Sequence, residues 1–397
     1  MAVTAVRRVY LDNNSTTAID PRVAAAVKPY LDEVFGNPSN LHSFGRECAE
    51  RLEEARERVA AFLGAEVEEI FFTGSGTEAD NWAVKGVAAA QSDHGRHIVS
   101  SQIEHSAVLE SCKYLGSLGY DVTYLPVDGY GLVDPDAVRR VIAKATVLVT
   151  VMLANNEIGT VEPVAEIAAI CRAAGVAMHT DAVAAAGKIK VDVRELGVDL
   201  LTISGHKLGA PKGVGVLYVR KGTPIHPLIH GGHQERGLRA GTENTIGIVG
   251  MGKACELLKA EWQQHAERER RLRDRLERGA LERVPELRLN GHPVRRVPNV
   301  SHMSVGYVEG EALLMNFDLE GVAVASGSAC SSGGAEPSAT IKAIGVPPLF
   351  QNSPVRFSLG PGNTEDEIDY TLDVFERVVR RLRDISPIWK RRSGKTA

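Results

Sequence analysis

The sequence predicts an α/β protein: a mainly parallel seven-stranded sheet in a large domain, followed by a smaller α+β domain. Three observations predict it. From about residue 65 to about 220, short β-branched runs alternate with Ala-rich helical patterns, an order that builds a parallel sheet covered on both faces. The 397 residues exceed the length at which a single core stops growing. Beyond a charged helical stretch the alternation gives way to isolated strands and a final helix. The expected large domain is 16–260. Residues 1–15 and 261–385 are expected to form the small one, with 386–397 as a frayed tail.

The elements follow in chain order. Strands are expected at Glu69–Thr73, His97–Ser100, Asp121–Leu125, Thr146–Leu153, Val176–Thr180, Leu200–Ser204 and Val214–Val219, each rich in β-branched or aromatic residues. Helices such as Thr77–Gln91 and Val164–Ala174 lie between them. The stretch Lys253–Arg283 mixes charges at helical spacing and reads as a solvated connecting helix with i,i+4 pairs. Strands then recur at Pro298–Val305 and from Val355 to Leu359. A last amphipathic helix over Thr364–Asp384 opens on a Thr-x-x-Glu cap.

Composition narrows the function classes. Hydrophobic residues at 44% and charged residues at 24% suit an ordinary globular enzyme. A net charge of −4 gives no pull toward nucleic acid or an anionic membrane. The N-terminal stretch has no apolar signal region, and no apolar run is long enough to span a bilayer, so a cytoplasmic protein is expected. Five cysteines without a C-x-x-C pair argue against a disulfide framework and a metal site. Cys48, Cys112, Cys171 and Cys255 sit in helical patterns and read as small buried hydrophobes. Cys330 differs. It lies in the small-residue stretch Ser326-Gly-Ser-Ala-Cys-Ser-Ser-Gly-Gly334, which reads as an exposed loop presenting its thiol.

Chemistry concentrates at strand ends. Val176–Asp181 closes on a carboxylate, and the next run closes on Ser204-Gly-His-Lys207. Ligands of open α/β sheets bind at such C-terminal edges. A carboxylate beside an amine is what pyridoxal phosphate needs, one for its ring nitrogen and one for its aldehyde. Thr73-Gly-Ser-Gly-Thr-Glu78 joins a strand to a helix, and Ser75-x-x-Glu78 matches a capping box. Its glycines and helix N-terminus suit a phosphate. Gly74-x-Gly76-x-x-Ala79 fits a dinucleotide fingerprint equally well. Asp181 and Lys207 break that tie toward pyridoxal phosphate.

These motifs also carry a family resemblance. Ser204-Gly-His-Lys-Leu-Gly-Ala-Pro-Lys-Gly213, Gly231-Gly-His-Gln-Glu-Arg-Gly-Leu-Arg-Ala-Gly-Thr242, Asn155-Asn-Glu-Ile-Gly159 and Ser326-Gly-Ser-Ala-Cys330 closely resemble the cysteine desulfurases of the class V aminotransferase family. The likeness is to the NifS-like and IscS-like branch, with its long catalytic-cysteine loop, and runs from Leu11-Asp-Asn-Asn-Ser-Thr-Thr17 to Arg356-Phe-Ser-Leu-Gly360. It implies a fold-type I homodimer that converts L-cysteine to L-alanine and passes the sulfur, as a persulfide on Cys330, to an acceptor protein. Iron–sulfur assembly, tRNA thiolation and DNA sulfur modification are the destinations it leaves open, none needing direct nucleic-acid contact. By the same resemblance Lys207 would hold the cofactor's aldehyde, Asp181 its ring nitrogen, and His105 would stack on the ring and serve as proton partner. Gly76, Thr77, Ser204 and His206 would bind the phosphate, with Thr242 reaching in from the partner subunit. Asn156 would lie beside the phenolic oxygen and the substrate, and Arg356 would clamp the substrate carboxylate. One position departs from the family pattern: Ala184 stands where a glutamine would donate to the phenolic oxygen. Selenocysteine lyases and aminotransferases of the same fold are the nearest rivals, and a nicotinamide dehydrogenase or a catalytically decayed sulfur carrier the more distant ones.

Overall fold

The computed structural model describes residues 7–327 and 336–392. Twelve strands are present among them: β1 Val9–Tyr10, β2 Ile70–Thr73, β3 His97–Ser101, β4 Asp121–Leu125, β5 Thr146–Thr150, β6 Ala177–Asp181, β7 Leu200–Ser204, β8 Gly215–Val219, β9 Leu287–Asn290, β10 Val300–Val305, β11 Val322–Ala323 and β12 Pro354–Ser358. The expected seven-stranded sheet forms in the order β2-β8-β7-β6-β5-β3-β4. Pairing is parallel except at β8, which runs antiparallel to both β2 and β7.

Every residue of β2, β3, β5, β6, β7 and β8 is buried, because helices pack on both faces. On one face Val99, Val149, Met178, Leu201 and Val216 join Leu52, Val59 and Leu63 of the helix Ser43–Leu63. On the other, Ile98, Leu148, Leu200 and Leu217 meet Trp82, Ala83 and Val87 of the helix Gly76–Ala90. A separate cluster holds the antiparallel β12-β10-β9 sheet against the helix Glu365–Ile385, centred on Phe317, Phe357 and Phe375. The short β1–β11 pair lies in the same cluster through Val9 and Val322.

Three local expectations need correction. The charged helix begins earlier, spans Thr245–Arg283, and is not simply solvated: Glu269 and Arg273 are buried along with Leu272 and Leu276. Its charges mostly reach other elements instead of their i,i+4 neighbours, as in Glu269 with Lys188, Arg275 with Asp369, Glu277 with Arg296 and Arg283 with Asp373. A charged residue on a buried helix face needs a partner that crosses the packing interface. The start of the expected tail is helical over Pro387–Arg392, with Trp389 against Tyr307 and under the Arg383 guanidinium. The cap at Ser75 is half a box: its side chain accepts from Glu78 N–H, while the Glu78 carboxylate turns to Gly74 N–H and Arg239. The box at Thr364 and Glu367 is complete. No helix among the described residues is long and apolar enough to cross a membrane.

Candidate active site

A cavity of about 560 Å³ opens at the C-terminal edge of the large sheet. It lies where the chain leaves β2, β3, β5, β6 and β7, the sheet edge at which open α/β folds collect ligands. Nine of the sequence-predicted site residues line it, Gly76, Thr77, His105, Asn156, Asp181, Ser204, His206, Lys207 and Arg356, and so does Ala184 at the departed position. Thr242 is exposed and stands outside this lining. Cys330 lies outside the described residues, but Gly327 before it and Ser338 after it both border the cavity.

Asp181 ends β6, buried, with Oδ1 accepting from Val183 N–H at 2.8 Å. Burial raises its pKa, while His105, the Val183 N–H and Lys207 oppose the rise. Lys207 follows β7 in a turn of 3₁₀ helix, and its ammonium donates to the carbonyls of Asn14 and, at 2.8 Å, Ser15. His105 caps the helix Ser106–Ser117, its Nδ1 accepting from Ala107 N–H at 3.2 Å. That bond leaves Nε2 as the protonated nitrogen of the neutral ring. His206 donates or accepts at Thr16 Oγ1, and burial with two neighbouring lysines lowers its pKa to about 4.

At the phosphate end, the helix Gly76–Ala90 presents the N–H groups of Gly76 and Thr77 in its first turn, where no intrahelical acceptor exists. A Cβ at Gly76 would come within 3.1 Å of both Ser204 Cβ and Val183 Cγ2, so glycine keeps this corner open. At the opposite end Arg356 is almost fully buried. Its Nη1 donates to the Asn156 carbonyl and its Nη2 to Asp12 Oδ1 and Ser15 Oγ, all at 2.8 Å. Its Nε has no partner. Glu157, beside Asn156, accepts from Ser338 Oγ at 2.6 Å and Thr340 Oγ1 at 3.1 Å.

Sequence reasoning missed the acids behind this lining. Asp80 and Glu104 both reach the cavity wall, and Asp80 Oδ1 and Glu104 Oε2 are buried without partners. Burial pushes the Glu104 carboxyl up to about 8. The available signal for Asp80 was its place in Ala79-Asp80-Asn81-Trp82-Ala83, one turn past Gly76 on an otherwise apolar helix face.

Unpaired buried acid at one end, unpaired buried guanidinium N–H at the other, and a glycine-cleared helix N-terminus fit a flat, zwitterionic, phosphorylated ring such as pyridoxal phosphate. The dinucleotide alternative fits worse, since β2 is an edge strand paired only to antiparallel β8. A fingerprint of that type belongs to a parallel βαβ unit.

The described Aminotransferase class-V family model matches residues 9–371. A cysteine desulfurase IscS from Dictyoglomus turgidum is 52% identical over 387 residues, covering 97% of this chain and 98% of that protein. A solved NifS-like protein superposes with a TM-score of 0.89 at 38% identity, covering 95% of this chain and 100% of the other. A structure titled SspA in complex with cysteine gives a TM-score of 0.79 at 33% identity, over 89% of this chain and 99% of that one.

Proposed function

The chain belongs to the cysteine desulfurases of the class V aminotransferase family, and on that premise we propose how its residues take sulfur from L-cysteine and release L-alanine. The observation that carries the reading is a shared cavity. Lys207, Asp181 and Arg356 line it together with Gly327 and Ser338, which flank the segment bearing Cys330.

Lys207, Asp181, His105 and the Gly76–Thr77 helix start would hold pyridoxal phosphate, which when bound would supply an electron sink for chemistry at the substrate's Cα and Cβ. Arg356, which lines the cavity, would receive the substrate carboxylate and so orient the amine toward Lys207. Lys207 then takes the Cα proton, the ammonium so formed being stabilised by the Asn14 and Ser15 carbonyls. His105 Nε2 exchanges protons at the substrate sulfur. The Cys330 thiolate attacks that sulfur, the carbon–sulfur bond breaks, and the sulfur stays as a persulfide while the three-carbon remainder leaves as alanine after reprotonation.

Among the five cysteines this role falls to Cys330 by chemistry. Burial pushes the thiols of Cys112 and Cys171 up to about 12 and raises those of Cys48 and Cys255, so none of the four supplies a thiolate near neutrality.

The same reading takes residues 16–260 as the cofactor-binding unit and residues 1–15 with 261–385 as the unit carrying Cys330. It takes the chain as a cytoplasmic homodimer that hands its persulfide to an acceptor protein such as an iron–sulfur assembly partner. Thr242 is exposed, and Leu31, Phe35, Leu41 and Phe44 form an apolar surface stretch, features that suit a subunit interface.

Cys330→Ser tests the assignment. With the cofactor's absorbance retained, sulfide and alanine formation from cysteine should fall to background, and the added sulfur should vanish from the 330 peptide in mass spectra. Undiminished desulfuration by that variant refutes it.

A further inference from the structure

Behind the cavity lies a buried hydrogen-bonded line that the reaction as described does not use. Thr150 on β5 bonds His179 Nδ1 at 2.8 Å, and His179 Nε2 meets Thr202 Oγ1 at 3.2 Å. Asp80 lies beside the same Thr202, whose hydroxyl favours the ionised form of its carboxyl. With His179 Nε2 protonated, the Thr150 hydroxyl donates to Nδ1 and Nε2 donates to Thr202 Oγ1. The line ends on an acid whose Oδ1 has no hydrogen-bond partner, 3.6 Å from His179 Nε2.

Asp80 then faces Asp181. One oxygen of each acid and one ring nitrogen of His105 lie within 4.8 Å of one another. Asp80 is 1% and Asp181 5% exposed. Two buried carboxylates this close disfavour each other's ionised form, so the neutral state of one is favoured. Of the other titratable groups facing the pair, none relieves Asp80; Lys207 and His105 favour the ionised form of Asp181 alone. Glu104, from the β3 connection, adds an acid. Burial holds His179 neutral, with its pKa near 3. Lys207 and His105 act on Asp181, and Asp80 feels neither among its main influences.

We propose that Asp80 and Asp181 share one proton, so the pair carries a single negative charge and Asp80 sets how firmly Asp181 holds the cofactor's ring nitrogen. Asp80 is a positioning residue here: it acts through Asp181 and touches no substrate. The unpartnered Asp80 oxygen is where the shared proton sits. The second half of the proposal rests on the pyridoxal phosphate reading; the first half does not.

The test separates the two. In apoprotein at neutral pH, the infrared difference between wild type and Asp80→Asn should show loss of one protonated-carboxyl band, whereas Glu104→Gln should remove a second, that of Glu104 itself, and leave the first in place. Asp181→Asn removes the like charge, so the remaining Asp80 band should titrate at lower pH than in wild type. A wild-type band unaltered by Asp80→Asn, or a midpoint unmoved by Asp181→Asn, overturns the shared proton. Should Asp80→Asn fail to fold, the Asp181→Asn titration decides alone. With pyridoxal phosphate added, Asp80→Ala deletes the donor to Asp181 and should weaken cofactor retention about tenfold to a hundredfold, with a displaced absorbance–pH curve. Asp80→Asn, a neutral donor, should keep the curve near wild type. Coincident curves and equal retention in Asp80→Ala overturn the tuning role. A carboxyl band behaving as expected in a protein that binds no pyridoxal phosphate upholds the shared proton and sinks the functional reading.

Discussion

Arg356→Lys keeps a cation at the substrate end of the cavity and removes its shape. The guanidinium spends three donor bonds of 2.8 Å on Asn156, Asp12 and Ser15 and leaves Nε unpaired. An incoming carboxylate therefore meets a guanidinium plane already fixed in orientation by its own fork. A lysine ammonium at the same place must choose between those acceptors and the substrate. The Coulomb attraction survives, so the loss amounts to one charge-assisted hydrogen bond, about 1.5–3 kcal/mol. That corresponds to a fall in kcat/KM for cysteine of about 10- to 150-fold. Because the carboxylate is held alike in ground and transition states, the change should appear mainly in KM. The assay is alanine release against cysteine concentration, with cofactor absorbance and melting temperature recorded on the same samples. A cofactor-loaded variant whose KM stays within about threefold of wild type refutes the clamp. So does a fall confined to kcat.

Ala184→Gln restores an amide at the cavity wall and should tighten pyridoxal phosphate binding by about 1.5–3 kcal/mol if that amide reaches the phenolic oxygen; equal dissociation constants by fluorescence titration would exclude it. Glu104 is held protonated in the fold, its pKa raised from 4.5 to about 8 by burial. Its favourable contribution is therefore complete below about pH 4.5 and lost as pH rises through about 8. Glu104→Gln should flatten that part of the stability–pH curve, and melting curves of equal slope for the two proteins would count against it. Glu235 accepts from Arg56 at 2.8 and 2.9 Å and from Phe72 N–H at 3.0 Å, with both side chains buried. Glu235→Ala should cost about 3–5 kcal/mol in denaturant unfolding by stranding the Arg56 charge; a loss under about 1 kcal/mol would place that pair among the weak surface ones.

Much of the architecture is legible in the sequence. Runs such as Leu200–Ser204 and Thr146–Thr150 declare themselves because a strand buried on both faces must be apolar and β-branched throughout. Asp181 and Lys207 were legible because each interrupts such a run at its end. What escaped were features defined by distant partners. The β1–β11 pair is two residues long on each side and joins Val9 to Val322, so no local pattern encodes it. Glu269 and Arg273 look like solvated charges until their cross-element partners are in place. Asp80 looks like an ordinary helix residue until β6 sets Asp181 and His179 against it.

The 39-residue helix Thr245–Arg283 spans about 58 Å at 1.5 Å per residue. Its first half lends Ile248, Met251 and Cys255 to the large interior, and its second half lends Leu272, Leu276 and Ala280 to the small one. One rod is thus mortared into two walls. Cutting the polypeptide near position 260 would leave each fragment with a bare greasy seam, so the two lobes stand or fall together.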